Sequence, residues 1–177
     1  FESMTRILSL FHAPFGVFAV RGNHDVCFEL KRYLDATSRA GVVTLLNDNV
    51  LINTGRGYLN LSGDDDVPYY PERQIAHPPP PDRKYPWLYL THNPSYFLNR
   101  NNEAEVTFAG HTHGGQLRLP WIGGNLWKVI SPSFIDAGLH RDGDRQLIVG
   151  AGLGASSIPL RINCPPEVVI VTLRAPK

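Results

Sequence analysis

Histidine is the side chain whose proton and lone pair are both in play near neutral pH. Four of the seven histidines in this chain fall in three short segments. "GNHD" (22–25) sets His24 between Asn23 and Asp25, "THNP" (91–94) carries His92, and "GHTHGG" (110–115) carries His111 and His113. Imidazoles without clustered thiolates suit an open zinc, iron, manganese or nickel site better than a closed structural zinc. At i and i+2, His111 and His113 would project to one face of an extended chain. Gly110, Gly114 and Gly115 would let the backbone turn tightly beside an ion. Asn23 offers a neutral amide oxygen as a hard donor. Any one of these histidines alone reads as a hydrogen-bonded structural residue; three such segments together read as a site.

The segments need elements to aim them. "GVFAV" (16–20), "WLYL" (87–90) and "EVTFAG" (105–110) read as buried strands, and each delivers a histidine at or just beyond its carboxyl end. In α/β sheets that is where sites form. Ile7, Leu8, Leu10 and Phe11 recur at helical spacing, as do Val26, Leu30, Tyr33, Leu34 and Thr37 before a stop at Gly41. "VVTLL", "NVLINT" and "GYLNLSG" read as strands, residues 64–86 as a long proline-rich loop, and "SYFLNRNN" as a short helix. "QLIVGAGLG" and "EVVIVTL" are expected to add two strands at the end.

The 177 residues allow one domain with a real core, here residues 1–177, and the 42% hydrophobic and 19% charged composition is that of an ordinary globular protein. A net charge of +1 argues for neither a nucleic-acid partner nor an anionic membrane surface. Cys27 and Cys164 form no metal or disulfide framework. No apolar run approaches the ~20 residues of a membrane span.

On "GNHD", "THNP" and "GHTHGGQ", in that order, the chain resembles the calcineurin-like metallophosphoesterases, whose ordered motifs are D-x-H, G-D, G-N-H-D/E, a G/T-H segment and G-H-x-H. The tail "GLGASSIPLRINCPPEVVIVTL" is similar to that of a bacterial membrane-linked branch, with enzymes like UDP-2,3-diacylglucosamine pyrophosphatase and general phosphodiesterases. The resemblance implies an α/β fold, a β-sandwich flanked by helices (αββα). It implies two divalent ions, Mn, Fe or Zn, that activate water for attack on a phosphodiester, phosphomonoester or pyrophosphate bond. Asn23, His92 and His111 would hold one ion and His113 would serve the other. His24 would face the scissile phosphate as donor or acid, and Asp25 would orient His24 or cap the following helix. The implied substrate is a phosphoester, small or lipid-linked.

The chain departs from that pattern at its start. Only 21 residues precede Gly22, and they contain neither D-x-H nor G-D. The expectation is a carboxyl-terminal part of a longer protein, lacking its amino-terminal portion, with at most one partial metal site and little activity alone. Membrane association would then come through the missing region. Asp64, Asp65 and Asp66 read as loop carboxylates, with metal bridging as the lesser alternative. The rival functions are a non-catalytic scaffold on the same fold and a mononuclear metal-binding module. "GAGLGA" (150–155) lacks the following helix that a dinucleotide fingerprint needs. Arg118 and Arg161 could contact phosphate. His12, His77 and His140 read as ordinary, and Trp121 as part of a rim over the metals.

Overall fold

The computed structural model describes residues 1–65, 78, 81–98, 103–122, 124–131 and 134–174. Helix α1 (Glu2–Leu8) packs against α2 (Leu30–Arg39), and Thr5 Oγ1 donates to the Ala36 carbonyl at 3.2 Å. In α2, Tyr33, Ala36 and Thr37 are buried at the i, i+3, i+4 spacing of one helix face. That helix joins β1 (Val17–Ala19) to β2 (Val42–Thr44), which pair in parallel, and Thr44 donates to Thr37 across the interface at 2.9 Å.

Strands β3 (Asp48–Asn53), β4 (Tyr58–Gly63), β5 (Trp87–Leu90) and β6 (Val106–Ala109) follow. After a ribbon of β7 (Arg118–Leu119) and β8 (Gly124–Asn125), helix α3 (Leu126–Ile130) leads to β9 (Gly138–Asp142) and β10 (Arg145–Val149). Six of these strands form one sheet in the order β3-β4-β5-β6-β10-β9. The inner four are parallel to one another; β3 and β9 run antiparallel at the two margins. The architecture is therefore mixed α/β around a central six-stranded sheet.

Burial follows the strand period. Trp87 and Tyr89 alternate inward with Ala104, while Leu147 and Val149 join Phe97 in a second cluster. Burying such an aliphatic side chain fully contributes roughly 1.5–3 kcal/mol. The Trp87 indole N–H donates to Ser62 Oγ at 2.6 Å, so its polar edge is matched. Gly63 is the point where the small sheet meets the large one. A Cβ there would lie 2.5 Å from Leu45 Cβ and 2.7 Å from Val20 Cγ1.

One expected strand does not form. Residues 167–173 join no ladder, with Val168 73% and Ile170 91% exposed. Strand β10 is already paired on both sides, by β6 and by β9, so it has no free edge to offer. The hairpin that takes the outer edge turns at "DG", with Gly143 at φ 59°. No helix follows "GAGLGA" either, as its sequence requires.

Candidate metal centre

The parallel strands end together, and the hydrogen-bonded pattern runs on past them. The Thr91 N–H donates to the Phe108 carbonyl at 3.0 Å, and the Gly110 N–H to the His92 carbonyl at 3.1 Å. His92 and His111 thus leave adjacent strands from fixed backbone. Asn23 arrives from β1. Its loop is held by Arg21, whose guanidinium makes a two-point contact with Asp65 at 2.8 and 2.5 Å, and by Asp25, whose Oδ2 accepts from the Gly22 N–H at 2.9 Å. Gly22 lies directly on the His92 ring: a Cβ would stand 2.6 Å from His92 Cε1.

Three donor atoms converge there. Asn23 Oδ1 is 2.8 Å from His92 Nε2, which is 3.1 Å from His111 Nδ1. The two rings meet edge to face with centroids 4.8 Å apart. A neutral imidazole nitrogen either donates or accepts, so His92 Nε2 can satisfy only one of its two neighbours. With ligand bonds of ~2.0–2.1 Å, donors around one cation stand about 3 Å apart, which is the spacing found here. Burial pushes His92 down to about 4, helped by the positive fields of His111, His113 and His24. His111 is lowered for the same reasons, burial first and then His113 and His24. Both imidazoles are therefore neutral at pH 7, with lone pairs available to a cation. The donor set fits a divalent ion. Among the described residues, no group of three or more His, Cys, Asp or Glu forms a metal site; the convergent set is two imidazoles and an amide.

His113 goes elsewhere. The extended i, i+2 arrangement is replaced by a tight turn in which His111, His113 and Gln116 have φ of 66°, 51° and 57°. The cause is local, since Thr112 bonds back to Gly110 at 2.7 Å and Gly115 to Thr112 at 2.8 Å. His113 Nδ1 consequently lies 3.4 Å from the Gly154 carbonyl. His24 is exposed at the start of a 3-10 turn, Asp25–Cys27.

Arg118 and Arg161, considered for phosphate, have structural partners. Arg118 donates to the Gly114 carbonyl at 3.0 Å and pairs with Asp136 at 2.6 Å. Arg161 gathers the carbonyls of Ala151, Gly154, His113 and Cys164. Asp65 is held by Arg21, and Asp64 is fully buried, accepting from the Tyr89 hydroxyl at 3.4 Å. Burial and that carboxylate push the Tyr89 phenol far up. Asp66 and His77 lie outside the described residues; His140 Nε2 donates to the Asp136 carbonyl at 2.8 Å.

Sequence reasoning missed Gln116. Its side chain makes three bonds across forty residues: Nε2 to the Ser156 and Ile158 carbonyls at 3.1 and 2.9 Å, and Oε1 from the Ser156 N–H at 2.7 Å. Its place directly after "GHTHGG" was the available signal. Asn125 was missed too: it caps α3 through the Trp127 N–H at 2.9 Å and presses on Gly115, where a Cβ would lie 2.2 Å away.

The chain is 34% identical to the phosphodiesterase YaeI of Escherichia coli (strain K12) over 177 residues, 98% of this chain and 64% of that protein. It is 31% identical to the uncharacterized metallophosphoesterase YkoQ of Bacillus subtilis (strain 168), over 87% of this chain and 58% of the relative. It is 29% identical to an uncharacterized metallophosphoesterase of Aquifex aeolicus (strain VF5), over 98% and 66%. The chain thus spans about three fifths of the length of these relatives. No family model matches it, and no solved structure does. These likenesses, to proteins named phosphodiesterase or metallophosphoesterase over most of the chain, support a calcineurin-like metallophosphoesterase family.

Proposed function

We propose that this chain carries part of a dinuclear phosphoester hydrolase on an αββα sandwich, and that Asn23, His92 and His111 hold one of its divalent cations. The observation behind this reading is the convergence of Asn23 Oδ1, His92 Nε2 and His111 Nδ1 within 3.1 Å steps. When bound, the cations supply an activated water and neutralise charge on the phosphoryl oxygens.

The chain's own residues supply the rest. Gly22 gives His92 the room to face Asn23, and the Arg21–Asp65 pair and the Asp25 carboxylate hold that loop still. His24 sits exposed beside the donor set, free to turn its ring N–H toward a phosphoryl oxygen or a departing alkoxide. His113, held at its carbonyl by Arg161, lies within electrostatic reach of His92 and is the residue available to the second cation. Substrates are phosphodiesters, phosphomonoesters or pyrophosphates, small or lipid-linked. No helix among the described residues is long and apolar enough to cross a membrane.

Calorimetric titration with Mn²⁺ tests the centre directly. Wild type should bind with a stoichiometry near one, and His92→Ala and Asn23→Ala should each weaken binding at least ~10-fold, as loss of a ligand does. Equal Mn²⁺ affinity in wild type and His92→Ala would remove the reading.

A further inference from the structure

A cavity of about 390 Å³ opens next to the donor set, lined by His111 and His113, by Trp127, Phe134, Ile135 and Ile158, and by neutral polar side chains. Its size is that of a small-ligand site. Two observations restrict what enters. Among the described residues lining it there is no Asp, Glu, Lys or Arg, so no fixed charge there pairs with a second phosphate; its polar members besides the histidines are neutral amides and hydroxyls such as Asn93, Thr112 and Ser156. Its apolar side chains are large and incompletely covered, with Trp127 47% and Ile158 54% exposed.

The walls are also built to stay in place relative to the histidines. Helix α3, which carries Trp127, is capped by Asn125, and Asn125 is wedged on Gly115 in the His111–Gln116 turn. Ile158 is held by Gln116 of that same turn through its carbonyl, and Ser157 in the same loop sits at φ 61°, strained for a residue with a side chain. A phosphorus placed at the histidines therefore has beside it a lining without acidic or strongly basic groups, in which Trp127, Phe134, Ile135 and Ile158 offer the apolar surface.

We infer that this cavity receives an uncharged, apolar ester arm of a phosphodiester and that Trp127 is the specificity-determining side chain. The inference rests on the phosphoesterase reading and narrows it: diesters with an aryl or alkyl arm are favoured over nucleotides and pyrophosphates. Trp121, the tryptophan singled out by sequence, is 78% exposed and does not line the cavity.

Calorimetry on the Mn²⁺-supplied chain with diphenyl phosphate, dimethyl phosphate and ADP tests it by binding alone. Diphenyl phosphate should bind about tenfold tighter than dimethyl phosphate, equivalent to about 1.4 kcal/mol. Trp127→Ala should bring the two within about threefold, and Ile158→Asn should move the ratio the same way; both positions are exposed enough for the variants to fold, which a melting curve verifies. Equal affinity for the two diesters, tighter binding of ADP, no binding of diphenyl phosphate, or a ratio unmoved by both variants would overturn the inference. A chain that takes no Mn²⁺ yet keeps the Trp127-dependent preference would overturn the phosphoesterase reading and leave the arm pocket standing.

Discussion

Gly22 has no side chain, and the space a Cβ would need belongs to the His92 ring, 2.6 Å away at Cε1. Gly22→Ala must therefore move either the loop or the imidazole. Overpacking of this kind costs roughly 1–3 kcal/mol, but the larger effect is on the donor set, which tolerates little displacement. We expect Mn²⁺ affinity to fall at least ~10-fold by calorimetry, whereas Gly57→Ala, with open space around it, should leave it unchanged. His92 carries a second prediction. Its folded value is lowered to about 4 from 6.5, chiefly by burial. Between those values the unfolded chain binds more protons than the folded one, so stability is full above pH 6.5 and falls as pH drops toward 4. Thermal melts of chelator-treated protein should show that decline, and His92→Gln should flatten it. A flat wild-type profile across the window would show that His92 is not buried as described.

At the scale of elements, the turn from His111 to Gln116 is where the chain departs most from regular geometry, with three non-glycine residues at positive φ. Such backbone persists only when its surroundings fix it, and Gln116 is a principal fixing group. Gln116→Ala should raise hydrogen exchange across residues 155–160 while leaving Mn²⁺ affinity within about threefold, because Gln116 touches none of the three donors. Unchanged exchange there would show that the loop is held by other contacts. The same region marks what could be read from the sequence. Strands β1, β5 and β6 were legible because apolar runs bounded by glycine or polar residues have few other solutions, and their ends located Asn23, His92 and His111. The turn was not legible, since period-2 alternation says nothing of the Thr112 and Gly115 bonds that curl it. Gln116 to Ser156 and Gly22 to His92 are contacts across 40 and 70 residues, which no local pattern encodes. Residues 167–173 form a short apolar run like a buried strand yet join no ladder: β10 is bracketed by β6 and β9, and Glu167 is tied instead to the preceding loop, its N–H donating to the Gly152 carbonyl and its carboxylate accepting from the Ala151 N–H.

For the whole molecule, the centre exists only when three distant segments are assembled: His92 is 69 residues from Asn23 and 19 from His111. A cation that needs all three binds the folded chain and not the unfolded one, so binding and stability are linked. At Mn²⁺ a hundredfold above its Kd, the gain is about 2.7 kcal/mol. For a chain of this size, at ~2–4 °C per kcal/mol, that raises Tm by about 5–10 °C. Chelator should reverse the rise, and His92→Ala, at ~10-fold weaker binding or worse, should cut it to about half or less while still folding. Leu147→Ala separates this linkage from general loss of structure. Leu147 is fully buried between Phe97 and Val149 in the second cluster, so truncation should cost ~2–5 kcal/mol and lower Tm with and without metal alike. The Mn²⁺-induced rise should survive in Leu147→Ala, because β10 contributes none of the three donors. If the rise shrinks in Leu147→Ala as much as in His92→Ala, the donors are not preassembled at the ends of β1, β5 and β6, and the cation binds a chain that must still fold around it.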